Sequence, residues 1–220
     1  KFMKTKLLIL LFLASLSTYS QYTAIPDVNF EKKLIALNID SGEPDGQVLT
    51  SSINQLTKLD VYNSSITDLT GIQDFTALVT LYCNYNQLTT LDLSNNLLLN
   101  QLDCSHNQLI SLDILKNTSL LYLSCQDNQF TNLDTSNNNL LSVLGIDRNQ
   151  IATIDLSKNT NLTSLSCQKN NMTSLDLSKN IKLKDLDCNF NLLTSLDISA
   201  NIALTSLHCY QNIINSLVML

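Results

Sequence analysis

Tryptophan is absent, and histidine occurs twice, proline twice and glycine four times in 220 residues. Two imidazoles are a thin inventory for general acid–base or zinc chemistry. So few glycines argue against glycine-rich cofactor loops, and the chain must turn by other residues. Cations are outnumbered, with 13 Lys plus Arg against 19 Asp plus Glu and a net charge of −6. No basic face is available to neutralise a phosphate backbone, so nucleic acid is not an expected partner. What is present is apolar: 44% of the residues are hydrophobic and 15% charged, the profile of a folded chain with a substantial interior.

Residues 1–20 read as an address. Lys4 and Lys6 precede an apolar run from Leu7 to Leu13 that extends through Ala14 and Leu16, and Ser17, Thr18, Tyr19 and Ser20 follow it. That order predicts a secretory signal peptide cleaved after Ser20. The apolar core of about ten residues is short of the roughly 20 that span a bilayer, and no transmembrane segment is expected later. Cleavage would remove three lysines and no acid, leaving a net charge of −9. Lys1 and Phe2 ahead of Met3 read as an open-ended or misplaced start.

Leucines at 78, 99, 120, 141, 162, 183 and 204 recur every 21 residues without slipping. In the unit LVTLYCNYNQLTTLDLSNNLL, apolar residues occupy positions 1, 4, 6, 11, 14 and 16. Position 9 is Asn in every unit, as Asn86, Asn107, Asn128, Asn149, Asn170, Asn191 and Asn212. A first, 22-residue unit runs over 56–77, with Ser64 in place of that Asn. Each unit is also nested: Leu88, Leu91, Leu93 and Asn96 echo Leu78, Leu81, Cys83 and Asn86.

The run Leu81-Tyr82-Cys83-Asn84-Tyr85-Asn86-Gln87-Leu88 and its successors resemble the leucine-rich repeat signature, over residues 56 to 220. Two L-x-L cores in 21 residues leave no room for a return helix. The pattern therefore predicts a β-solenoid-like leucine-rich repeat fold with parallel short strands on both sides of each coil, resembling the short bacterial class. A single coil is too thin to bury its own leucines, so stability must come from stacking.

The Asn row is read as structural, because its amide both donates and accepts where a strand turns. A second row, Asn96, Asn117, Asn138, Asn159, Asn180 and Asn201, is expected to do the same at the opposite turn. Cys83, Cys104, Cys125, Cys167, Cys188 and Cys209 all hold the inward position 6, where Ile146 fills the remaining unit. Their exchange with Ile predicts a slot for a small hydrophobe. Stacked neighbours about 4.8 Å apart also exceed the roughly 3.5–4.5 Å between Cβ atoms of a disulfide. Six buried free thiols are therefore expected.

Residues 26–38, PDVNFEKKLIALN, predict a small helical N-terminal cap, with Asp27 as N-cap and Phe30, Leu34 and Leu37 on its apolar face. The following Asp40–Val48 segment resembles a degenerate EF-hand-type loop. Aligning Asp45-Gly46 with the loop's centre puts Ser52 at the closing Glu position. An acidic turn is the better reading, with calcium at Asp40 and Asp45 the alternative. The organisation expected is a signal peptide at 1–20, a helix-plus-acidic-loop cap at 21–55 and a solenoid at 56–220. The last coil stops at Leu220 with no polar cap, which reads as a truncated or covered end.

Positions 3, 5, 7 and 8 are expected to face outward. They offer Tyr82, Tyr85, Asp103, His106, Tyr122, Asp127, Asp147, Arg148, Asp185, Asp187, Phe190, His208 and Tyr210 as ligand-face candidates. Aromatics among acids suit protein or glycan contact. Position 15 carries Asp92, Asp113, Asp134, Asp155, Asp176 and Asp197, a file of like charges. These read as turn-formers that accept backbone N–H groups, with a calcium row as the alternative. Thiols that point in and imidazoles that point out assemble no catalytic set. The resemblance, to leucine-rich proteins exported by Gram-negative bacteria, implies a secreted or cell-surface binding module for a protein or glycan. No cofactor is expected, with calcium the alternative. The rival reading is a spacer for a further C-terminal domain.

Overall fold

A computed structural model describes residues 21–219, so the leader read in residues 1–20 lies outside the described residues. The first elements are β1 (Tyr22–Ala24), α1 (Val28–Ala36), β2 (Gln47–Leu49) and the single-turn helix α2 (Thr50–Ile53), with β1 antiparallel to β2. Asp27 starts α1: one carboxylate oxygen accepts the N–H groups of Asn29 at 2.8 Å and Phe30 at 2.9 Å. Phe30 and Leu34 are fully buried, and the Phe30 ring stacks on Phe75 of the first coil with centroids 6.2 Å apart.

Leu37, expected beside them, is instead the C-cap residue and 39% exposed. The cause lies one residue further on. Asn38 takes a left-handed φ of 58°, and the Ile39 N–H bonds the Leu34 carbonyl, so the reversal turns Ile39 onto the core in place of Leu37.

Thereafter each coil lays down one three-residue strand in the same place, because alternation turns positions 4 and 6 inward and positions 3 and 5 outward. The strands are β3 (Lys58–Asp60), β4 (Thr80–Tyr82), β5 (Gln101–Asp103), β6 (Tyr122–Ser124), β7 (Val143–Gly145), β8 (Ser164–Ser166) and β9 (Asp185–Asp187). Then follow β10 (Ser195–Asp197), β11 (Ser206–His208) and β12 (Ser216–Val218). Eight of them form one parallel sheet in the order β11-β9-β8-β7-β6-β5-β4-β3. Its register follows the repeat, so that Leu81 faces Leu102 and Leu144 faces Leu165. Beneath it lie Leu78, Leu99, Leu120, Leu141, Leu162 and Leu183, fully buried, with Leu204 half-buried in the last coil.

The second side of the coils departs from the expected symmetry. Among the described residues only β10 and β12 pair there as parallel strands. Elsewhere on that side each coil gives one main-chain bond, such as the Gln108 N–H to the Leu88 carbonyl at 2.9 Å, and asparagine side chains supply further ties. Asn117 Nδ2, for instance, donates to the carbonyls of Leu93 at 3.2 Å and Asn96 at 2.9 Å in the preceding coil. These amides join the coils where the strand ladder is missing.

The position 9 row carries more bonds. Asn107 Nδ2 donates to the carbonyls of Cys83, Cys104 and Ser105, and its Oδ1 accepts the Leu88 N–H at 3.0 Å, so one amide joins two coils. The other members repeat this pattern. The second row differs: Oδ1 of Asn96, Asn117, Asn138, Asn180 and Asn201 is buried without a partner. Asn159 is the exception, accepting the Thr135 hydroxyl at 2.8 Å. Thr135 occupies position 16, an apolar slot in the repeat pattern.

All six cysteines are free thiols, five of them buried and Cys209 half-buried, and Ile146 fills the corresponding slot fully buried. No helix among the described residues is long and apolar enough to cross a membrane.

Candidate ligand-binding face

The outward residues of β3 to β6 make the site. Sheet register sets Tyr82 between Asp60 and Asp103, one strand away on either side. The Tyr82 hydroxyl donates to Gln101 Oε1 at 3.1 Å, and the Lys58 ammonium lies 5.3 Å from the centre of its ring. These contacts fix the ring as a wall. Tyr82, Tyr62 and Tyr122 surround a concavity of about 440 Å³, with Asp60, Asp103, Asn84 and Gln101 supplying its polar lining.

The carboxylates are held in place by their own strands. Asp60 accepts the Tyr62 N–H at 3.1 Å, and Asp103 accepts the Ser105 N–H at 3.0 Å and hydroxyl at 2.6 Å. In each case one oxygen does the accepting, and the other meets no donor among the described residues. Burial, and then the neighbouring Asp103 charge, push the Tyr122 phenol above its ordinary pKa. A concavity walled by fixed aromatic rings and lined by acceptors suits a ligand that offers donors or positive charge.

Three sequence candidates, Tyr82, Asp103 and Tyr122, thus meet in one place. Asp60, Tyr62, Asn84 and Gln101 join them there without having been singled out. The signal that would have found them is register: residues one repeat apart are neighbours across the sheet.

Other candidates go elsewhere. Asp147, expected outward at position 7, is only 4% exposed and accepts the Ser166 hydroxyl and the Gln168 N–H of the next coil. Burial pushes its pKa up, against those two hydrogen bonds. Position 7 lies at the edge of the sheet, where Ser105 and Asn189 are buried too. Asp147 is therefore a joint between coils and does not belong to the open face. Asp185, Asp187 and His208 stand on the sheet face at its far end, on β9 and β11.

Tyr85, His106, Asp127 and Arg148 form a file along the turn. The Tyr85 and His106 rings stack with centroids 3.9 Å apart, His106 Nε2 lies 3.5 Å from Asp127, and Arg148 bonds Asp127 at 3.0 Å. Phe190 meets Tyr210 edge-on, with centroids 5.0 Å apart. Position 8 itself is left-handed in coil after coil, with φ near 50° at Tyr85, His106, Asp127, Arg148, Lys169, Phe190 and Gln211. None is glycine, so each turn carries a backbone strain that the bonds of the adjacent Asn must offset.

The acids considered for calcium are engaged by their own turns. Asp92, Asp113, Asp134, Asp155, Asp176 and Asp197 each accept the N–H two residues on. Bonds from the serine there hold Asp92, Asp134, Asp155, Asp176 and Asp197 below the usual carboxylate range. Asp45 accepts the Gln47 N–H, and the Asp40–Gly46 loop is tied down by Glu31, whose buried carboxylate accepts the N–H groups of Asp45 and Gly46. No group of three or more His, Cys, Asp or Glu side chains that could hold a metal ion occurs among the described residues. Burial raises the thiol pKa values, that of Cys188 to about 12 and those of Cys83, Cys104, Cys125 and Cys167 also well up, so these cysteines are neither nucleophiles nor ready metal ligands.

No family model matches the chain. Internalin J of Listeria monocytogenes serotype 4b (strain F2365) is 44% identical over 71 residues, 32% of this chain and 8% of that protein. A solved functional domain of InlJ from Listeria monocytogenes, described as including a cysteine ladder, is 36% identical with a TM-score of 0.69, covering 88% of this chain and 48% of that domain. Internalin C2 from Listeria monocytogenes str. 4b F2365 is 26% identical with a TM-score of 0.80, covering 90% of this chain and 91% of that structure. The chain thus spans less than half the length of the InlJ proteins it matches.

Proposed function

We infer that this chain, a leucine-rich repeat protein, is an exported binding module that recognises a protein or glycan on the open face of its parallel sheet. The observation that carries this reading is the concavity between Tyr62, Tyr82 and Tyr122, with Asp60 and Asp103 in its lining. Tyrosine combines apolar area with a hydroxyl at little entropic cost, which is why it serves recognition surfaces. Export accords with the charge, short apolar core and small residues of 1–20. A binding role rather than catalysis accords with the buried thiols and with His106 and His208 standing on widely separated coils.

The test is the triple variant Tyr82→Ala, Tyr122→Ala, Tyr210→Ala, assayed against protein and glycan arrays alongside its melting temperature. A binding module loses its array signal with unchanged melting. A spacer, the rival reading, shows no signal to lose, and that result would overturn the proposal.

A further inference from the structure

One file of residues runs the length of the open face. Cross-strand register aligns Asp60, Tyr82, Asp103, Ser124, Gly145, Ser166, Asp187 and His208, each at position 5 of its coil. The file has two acidic ends joined by a saddle of small side chains. Asp103 lies beside the Tyr-walled concavity, and Asp187 stands four strands away, about 19 Å at the usual strand spacing.

The carboxylates at both ends are outside any ion pair, although the Lys58 ammonium stands over the Tyr82 ring at one end and His208 neighbours Asp187 at the other. Among the described residues the ion pairs are His106–Asp127 and Arg148–Asp127, neither of them in the file. Asp187 repeats the arrangement of Asp103, with one oxygen accepting the Asn189 N–H at 3.0 Å and the other meeting no donor among the described residues. The fold itself shows that the Tyr82 ring accepts a cation, since the Lys58 ammonium lies over it. Between the ends Gly145 keeps the surface low: a Cβ added there would meet nothing nearer than Ser124 Oγ at 3.8 Å.

We propose that this face takes an extended basic peptide laid across the strands. One Lys or Arg enters the concavity at Asp103, a second binds at Asp187, and the backbone between them passes over Ser124, Gly145 and Ser166. An extended chain advances about 3.3 Å per residue, so the two basic residues stand roughly six positions apart. This rests on the reading of the sheet as the ligand face and adds the ligand's charge and spacing. Charge complementarity favours a peptide over a glycan, because a compact sugar in the concavity would leave Asp187 unanswered.

The test uses the 220-residue chain and fluorescein-labelled Gly/Ser peptides carrying two Arg six apart, two Arg two apart, one Arg, or two Glu six apart. The six-apart peptide is expected to bind about fivefold or more tightly than the two-apart and single-Arg peptides, and to weaken with added salt. Asp103→Asn and Asp187→Asn should each abolish that advantage. Gly145→Tyr should block binding at unchanged melting temperature. Equal binding at every spacing, or indifference to Asp187→Asn, overturns the proposal. No peptide binding together with a glycan-array signal lost on Tyr82→Ala and Tyr122→Ala overturns it too, but leaves the sheet face as the ligand surface. Silence on both arrays ends both readings.

Discussion

Asp27 and Thr67, forty residues apart, are joined by one carboxylate oxygen that accepts the Thr67 N–H at 2.8 Å and its hydroxyl at 2.7 Å. The other oxygen caps α1, and the Asp68 N–H adds a further bond at 3.1 Å. A single side chain thus starts the capping helix and fastens it to the first coil. Asp27→Ala should cost about 2–4 kcal/mol, the sum of a lost N-cap and charged hydrogen bonds, measured by urea denaturation.

The same residue sets a pH dependence. Burial alone would raise its pKa, but the bonds from Thr67, Phe30 and Asp68 outweigh it and leave the pKa lowered. A pKa lower in the folded chain than the unfolded value of about 3.9 means that the stabilisation is complete above that value and is lost as pH falls below it, through the folded-state pKa. Melting temperature should therefore fall steeply below about pH 4, and less steeply in Asp27→Asn.

Asn128 donates to the carbonyls of Cys104, Cys125 and Gln126 and accepts the Leu109 N–H. Asn128→Leu strands a buried N–H as well as carbonyls and should cost on the order of 1–3 kcal/mol. An unchanged melting temperature would show that the row carries no such load.

Thr135 answers the one satisfied carbonyl oxygen of the second row, that of Asn159. Thr135→Val keeps the shape but leaves Asn159 Oδ1 as bare as its five counterparts, and should cost about 1 kcal/mol. A gain in stability instead would mean that burying the hydroxyl outweighs the bond it makes.

Gly71 has a φ of 102°, and a Cβ there would lie 2.5 Å from Ile25 Cδ1 and 2.6 Å from the Ala24 carbonyl. Gly71→Ala combines strain with a backbone clash and should cost about 2–4 kcal/mol. Gly42→Ala, with φ 93° but open space around it, should cost only about 1 kcal/mol. Paired thermal melts of the two variants separate clash from strain.

Thiol titration with a chromogenic disulfide should find Cys209 reacting first in the native chain. The five buried thiols should react only on unfolding. Fast native reaction of Cys125 would contradict its burial.

The repeat made much of the fold legible. With Leu, Cys and Asn recurring every 21 residues, direction in or out is a local property, and each inward slot could be read from its own coil. The buried cysteines, the position 9 asparagines and the helix begun by Asp27 all follow from such local signals. The site was legible only in part. Tyr82, Tyr122 and Asp103 announced themselves by type, whereas Asp60 and Gln101 became site residues only through register.

The sequence by itself therefore determined the period, the coil and its apolar interior, because these depend on alternation within a few residues. The tertiary structure decided what each outward residue meets, because its nearest neighbours lie a full repeat away and its direction depends on the backbone angle of its turn. That is why Asp147 is buried against Ser166, why position 8 takes a left-handed φ without glycine, and why Thr135 rather than a neighbouring Asn completes the Asn159 amide. It is also why Leu37 yields its place on the core to Ile39.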